Sequence, residues 1–359
     1  MYKKNILELN RYQTSQNRDL KKGIILDRNE RVDYFDNKTF IKILKNISRY
    51  SLNTTPDINS LYNLIAKYHK VKKENIYITQ GITECISQIL FSTLSKKDEV
   101  ILMYQTYPMY EVLCKLHNIK YKLWKFDKNF KLNIKDLKKI INKKTKAIFL
   151  VNPNLPIEYE FNKKIKEEIY KISKKKDILI IYDEAYYHFG AKSEINKINK
   201  HKNLIIMRTF SKAWGLSGIR LGYMVSQSKL TNYISKCRSL VETNSLSYQV
   251  ASWALKNKNI LNDHVKNVKS GTKFIKEKLS KIGVSYQGGN VTNAMLIKLP
   301  NKSDTVHLKN YLRKKNIYIR DNFYKPIDNY VRISLCSKEK LSKFFTMFMN
   351  WKKKYYKNF

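Results

Sequence analysis

The run Asn203-Leu204-Ile205-Ile206-Met207-Arg208-Thr209-Phe210-Ser211-Lys212-Ala213-Trp214-Gly215-Leu216-Ser217-Gly218-Ile219-Arg220-Leu221-Gly222-Tyr223 decides how the chain is read. It opens as a nearly unbroken apolar strand, closes on hydroxyls and a lysine, and reaches an arginine through glycines. A strand without polar alternation is buried on both faces, as in a parallel sheet covered by helices. In such sheets ligands bind beyond the carboxyl ends of the strands. The polar residues that end each apolar run are therefore the candidates for chemistry.

Working outward, the pattern repeats. A helix presents Leu61, Leu64, Ile65 and Tyr68 on one face, strand 75–78 follows, and Gly81 precedes a helix faced by Ile86, Ile89, Leu90 and Leu94. Strands are expected at 99–103, 119–126, 147–151, 178–183 and 203–208, alternating with helices at 107–117, 133–142 and 161–174. After about residue 255 the alternation gives way to a long lysine-rich helix, strands near 293–298, 316–320 and 330–335, and a closing helix at 338–351. The expected fold class is α/β, a mostly parallel sheet between helices with a smaller α+β domain. Residues 46–255 form the expected large domain and 256–359 the small one, with 1–45 packing beside the latter.

Four groups of residues follow the strands: Gly81, Ile82 and Thr83; Asn152 and Asn154; Asp183, Glu184 and Tyr186; and Thr209, Ser211 and Lys212. Singly each is weak, since an Asp after a strand is more often a cap. Together they converge on one rim. A lysine desolvated in a pocket loses part of its preference for the charged form and becomes a nucleophile for an aldehyde. Arg220 with the hydroxyls of Thr209 and Ser211 suits a phosphate, and the helix after Gly81 offers amides to the same anion. A phosphate-bearing aldehyde that condenses with lysine is pyridoxal 5′-phosphate (PLP).

Charge and composition narrow the alternatives. The 71 Lys plus Arg against 29 Asp plus Glu leave +42, yet the lysines are dispersed, with short clusters such as 174–176 and 352–354 at helix ends. A small anionic substrate is the expected beneficiary of that field, and a dedicated nucleic-acid role is not expected. The four cysteines and six histidines are scattered, without zinc-type spacing, so no metal site is expected. No run spans a bilayer, and the first twenty residues lack the apolar stretch of a signal peptide, so a cytoplasmic protein with no membrane partner is expected.

The motif at 209–223, with Y-D-E-A-Y at 182–186, Q-G-I-T-E at 80–84 and Q-T-Y-P-M-Y at 105–110, resembles fold-type I PLP enzymes. Among these class I/II aminotransferases the resemblance is strongest to the histidinol-phosphate aminotransferase branch. It implies Lys212 as the residue that holds PLP and shuttles the proton, and Asp183 as the partner of the pyridine nitrogen. It further implies Tyr186 as donor to the ring hydroxyl, Tyr107 as the stacked ring, and Gly81, Ile82, Thr83, Thr209, Ser211 and Arg220 around the phosphate. Tyr50 matches a tyrosine that reaches the phosphate of the other subunit, which implies a homodimer with shared sites. Arg332, and less directly Arg320, match cations for a substrate anion, and Asn29 lies in the substrate-gate motif.

The chain departs from the family twice. Where the family has N-P-N-N-P-T-G, this chain reads Asn152-Pro153-Asn154-Leu155-Pro156-Ile157-Glu158, so the usual ring-hydroxyl donor is Leu155. Either Asn154 takes over the contact or Tyr186 is left alone. The gate motif N-E-N-P-Y/F-G appears as Asn29-Glu30-Arg31-Val32-Asp33-Tyr34, which bears on whether histidinol phosphate is the substrate. Amino transfer to a small, phosphorylated keto substrate is the expected activity. Decarboxylation of a phosphorylated amino acid, or nucleic-acid binding by an inactive member of the fold, are the alternatives.

Overall fold

The computed structural model describes residues 2–9 and 18–356; parts of the expected N-terminal segment (residues 1 and 10–17) and the last three residues lie outside them. The strands are β1 Ile24–Ile25, β2 Ile76–Thr79, β3 Glu99–Met103, β4 Lys120–Trp124, β5 Thr145–Val151, β6 Leu179–Asp183, β7 Leu204–Thr209, β8 Gly222–Ser226, β9 Tyr286–Gly288, β10 Ala294–Lys298, β11 Ile317–Tyr318 and β12 Tyr330–Ser334. The helices are α1 Lys4–Leu7, α2 Asn37–Lys45, α3 Asn59–His69, α4 Ile82–Thr93, α5 Met109–Leu116, α6 Ile134–Ile140, α7 Lys163–Lys176, α8 Ser228–Ser235, α9 Ser245–Lys256, α10 Asn259–Lys281, α11 Lys302–Arg313 and α12 Lys338–Tyr355.

Seven strands form one sheet in the order β2-β8-β7-β6-β5-β3-β4, parallel except for β8, which runs against both neighbours. Every residue of β7 and β8 is buried, as the apolar run requires of a sheet covered on both faces. The helices that cover it carry their own stop and start signals. Asn162 caps α7 by accepting the Ile165 amide, and Lys174, Lys175 and Lys176 lie at its carboxyl end, where cations complement the helix dipole. Helix α4 buries Ile82, Cys85, Ile86, Ile89 and Leu90, the one-sided stripe of an amphipathic helix.

A second sheet, order β12-β10-β9, is antiparallel, and the N-terminal β1 pairs with β11 in parallel. The expected strand 316–320 is shorter than its sequence suggests: pairing covers Ile317 and Tyr318, and Arg320 joins only through an isolated bridge to Arg332. Strand β8 and helices α8 and α9 went unread in the sequence. The first is hidden inside the glycine-rich motif, whose turn signals mask a strand that follows at once.

Candidate active site

Strand register brings the polar termini to one edge. Asp183 lies opposite Val151 on one side and Met207 on the other, while Gly222 of β8 lies opposite both Thr79 and Thr209. Because β8 is reversed between β2 and β7, the ends of β2, β5, β6 and β7 face the same way. The turn after β2 comes very close to β8: a Cβ on Gly222 would lie 2.9 Å from the Gly81 Cα. Only glycine permits that approach.

Asp183 is the buried anion of the site. Its Oδ2 accepts a 2.7 Å hydrogen bond from the Tyr110 hydroxyl and its Oδ1 accepts the Ala185 amide at 3.0 Å. Burial pushes its carboxyl up to about 6, against the opposing pull of those two donors and the Lys212 charge. Tyr110 in turn meets the Tyr107 ring edge-to-face, with centroids 6.2 Å apart, and the Tyr107 hydroxyl shares a 3.1 Å hydrogen bond with Thr83. Tyr107 stands just before α5 and Tyr110 in its first turn, a spacing that puts both on one side of the helix start.

Gly81 precedes α4 with φ of +82°, a backbone region open to glycine, so that the helix start faces the sheet edge. A Cβ there would come within 3.1 Å of Arg220 Nη2, which places the guanidinium directly against the turn. Thr209 Oγ1 accepts the Ser211 amide, holding the two hydroxyl residues in one tight turn before Lys212. The Lys212 Nζ donates to the Arg28 carbonyl at 3.3 Å and stands 5.7 Å from the Tyr186 ring centre. An amine, a buried carboxylate and a guanidinium at a helix start fit the aldehyde, ring nitrogen and phosphate of PLP.

Asn29 Oδ1, Thr106 Oγ1, Asn152 Nδ2, Asn154 Oδ1 and Asn293 Oδ1 are among the buried side-chain polar atoms without a hydrogen-bond partner. Asn29 Nδ2 donates to the Tyr186 hydroxyl at 3.2 Å, and Asn29 is held by Ser334 Oγ, which accepts its amide, and Asn293 Nδ2, which donates to its carbonyl. The sequence offers two readings of this loop, Asn154 as donor to a ring hydroxyl or Tyr186 alone. Both N–H bonds of the Asn154 side chain are engaged, to the Gln105 carbonyl at 3.1 Å and the Ile157 carbonyl at 2.9 Å, so it braces its own loop. Leu155, beside it, is buried and apolar.

Residues 22–347 match the family model described as aminotransferase class I and II. The chain belongs to that family. The aminotransferase is 30% identical over 334 residues to the histidinol-phosphate aminotransferase of Methanococcus maripaludis, covering 91% of this chain and 89% of the relative. It is 30% identical over 313 residues to that of Methanocaldococcus jannaschii, covering 84% and 82%. Its fold is similar to the crystal structure of histidinol-phosphate aminotransferase from Sinorhizobium meliloti in complex with pyridoxal-5′-phosphate, with a TM-score of 0.83, 19% identity and coverage of 95% and 94%. The chain is thus a PLP-dependent aminotransferase of fold type I.

The remaining expected site residues of the aminotransferase are engaged as follows. Arg332 Nη2 donates to the Asp27 carbonyl at 2.6 Å, and Asp27 also accepts from Arg18. Arg320 and Arg332 face each other across their antiparallel bridge, so both side chains leave the same face of that strand pair. Tyr50, 58% exposed, lies in a short helical turn with the Arg49 guanidinium over its ring. Glu184, one of the residues on the rim, is structural: it accepts Arg208 and Ser193, and its Oε1 takes the Glu194 amide, which locks the segment after Asp183. Two residues that sequence reasoning missed are Tyr110 and Asn293. The first carried a signal, its place one helical turn after Tyr107; the second carried none.

Proposed function

We propose that this aminotransferase moves an amino group between an amino-acid donor and a small keto substrate that bears a phosphate. The observation that carries the reading is the pair of arginines, Arg320 and Arg332, leaving one strand face beside Asp27, two residues from Asn29 and one from the carbonyl that holds Lys212. A guanidinium pair matches a phosphate in charge and in fork geometry. The two archaeal relatives are histidinol-phosphate aminotransferases, and a phosphorylated amine in their name supports the same substrate class.

PLP supplies an aldehyde that captures the donor amine and a ring that takes up the electron pair released at Cα. Lys212 Nζ, which donates to the Arg28 carbonyl at 3.3 Å and stands 5.7 Å from the Tyr186 ring centre, would take up the proton from the donor's Cα and return it to the former aldehyde carbon, two atoms away. Asp183 would hold a proton on the ring nitrogen, and Tyr186 would donate to the ring hydroxyl. Arg220, Gly81, Ile82, Thr83, Thr209 and Ser211 receive the cofactor phosphate. In this reading residues 46–255 carry the cofactor, and 256–359 with the N-terminal segment carry the arginines.

A homodimer completes the site. Phe40, Ile41 and Leu44 of α2, Tyr50, Leu52 and Leu246 are exposed apolar side chains around the turn that holds Tyr50, and a second copy would cover them. The work belongs in the cytoplasm, a compartment that keeps thiols reduced and so suits Cys85, Cys114, Cys237 and Cys336, all of them free. Among the described residues no helix is long and apolar enough to cross a membrane. The deciding experiment offers ketone phosphates and their unphosphorylated counterparts with Glu, Gln or Ala as donors. Turnover that needs the phosphate, with Arg332→Ala raising KM selectively for those substrates, is expected. Equal use of both ketones would refute the phosphate reading, and CO2 release without a keto acceptor would favour decarboxylation.

A further inference from the structure

Glu158 stands where the family motif ends in glycine, and the structure uses it fully. Its main chain pairs with the side chain of Gln287: the Glu158 amide donates to Oε1 at 3.1 Å, and its carbonyl accepts from Nε2 at 2.7 Å. Its carboxylate accepts the Asn290 amide at 3.0 and 3.1 Å, the Asn290 side chain at 2.9 Å, the Val291 amide at 3.1 Å and the Thr292 hydroxyl at 2.6 Å. One residue of the loop after β5 therefore grips residues 290–292 of the β9–β10 connection of the other sheet. Ionised acceptors make such bonds stronger than neutral ones.

The gripped turn leads straight to Asn293, whose Nδ2 holds the Asn29 carbonyl, and Asn29 Nδ2 donates to the Tyr186 hydroxyl. A phenol oxygen that accepts from an amide keeps its own hydrogen for another acceptor. The same loop carries Leu155 in place of the family's second donor, and both N–H groups of Asn154 are engaged elsewhere, so Tyr186 would make that contact to the ring hydroxyl alone. We infer that Glu158 is a positioning residue: it clasps residues 290–292 and, through Asn293 and Asn29, keeps the Tyr186 hydroxyl aimed as the donor to the cofactor ring. This rests on the PLP reading of the site.

Two measurements test it on the full chain. In PLP-free protein, amide hydrogen exchange at Asn290 and Val291 should quicken at least about tenfold in Glu158→Ala, with Glu158→Gln intermediate because its carbonyl keeps one acceptor. In PLP-loaded protein, the pH midpoint of the visible absorbance should move in the same direction in Glu158→Ala as in Tyr186→Phe, by about half a pH unit or more. In the Tyr186→Phe background the Glu158 substitution should add no further movement, because its effect passes through the missing hydroxyl. An unmoved midpoint in Glu158→Ala, or an equal movement in both backgrounds, overturns the inference. Should Glu158→Ala not fold, Glu158→Gln carries the same comparison. The wild-type band itself, absent or present, tests the PLP reading independently of these variants.

Discussion

Asp183→Asn should abolish a loss of stability that PLP-free wild-type protein suffers on going from about pH 4 to pH 6. Burial raises the Asp183 carboxyl from 3.8 to about 6, so in this window the folded protein holds a proton that the unfolded chain has released. Folding is then favoured by protons, and stability falls as pH rises; the penalty is absent below the unfolded value and complete above the folded one. At about 1.4 kcal/mol for each pKa step, the rise corresponds to roughly 3 kcal/mol, undiminished by solvent because the group is buried. Urea unfolding at a series of pH values reads it, as the difference between wild type and variant. His264 and His69, held down to about 4 and about 2 chiefly by burial, act oppositely by destabilising the fold as pH drops below their ordinary value. They are present in both proteins and cancel. The substituted carboxamide would keep an acceptor for the Ala185 amide and can donate to the Tyr110 oxygen, so a constant offset is expected and only the slope is diagnostic. Parallel curves for the two proteins would show that Asp183 is not a desolvated anion. Tyr110→Phe removes a donor that lowers the carboxyl, and should stretch the window above pH 6.

Lys212→Ala should lose turnover while retaining PLP weakly through the phosphate cradle, seen as cofactor that dialyses away; turnover within about tenfold of wild type would remove Lys212 from the chemistry. Gly81→Ala forces a side chain into φ of +82° and to within 3.1 Å of Arg220 Nη2, and should weaken PLP retention by about tenfold or more, measured by equilibrium dialysis against free PLP. Asn154→Ala should lower stability by about 1–3 kcal/mol, since the Gln105 and Ile157 carbonyls lose their donor, and leave the visible titration of the PLP-loaded protein unmoved. A shifted titration would return Asn154 to the cofactor.

The strand-end residues were legible because two local signals coincide at each: an apolar run long enough to be buried, and an abrupt polar stop. Gly81, Asp183, Thr209 and Lys212 each sit at such a stop, and sheet register alone then brings them to one edge. What stayed hidden lies in contacts between distant segments. The hydrogen bond from Tyr110 to Asp183 crosses 73 positions, and that from Asn293 to Asn29 crosses 264. No periodicity encodes either, because both depend on how one element docks on another.

The loop at 152–158 marks the boundary between the two kinds of information. The family motif shows that a donor is missing at Leu155 and offers Asn154 as its replacement, since a neighbouring amide is the nearest chemical substitute. An amide has only two N–H bonds, and here one goes to the Ile157 carbonyl of the same turn and the other to the Gln105 carbonyl beside it, which supports the other reading of the loop, Tyr186 alone. The compensation comes instead from three residues further on, where a glycine position has become Glu158 and ties the loop to a separate sheet. A motif read residue by residue treats these as two unrelated departures. Read as hydrogen-bond donors and acceptors, they are one change: the donor lost from the loop is offset by an anchor that steadies Tyr186, the donor that remains.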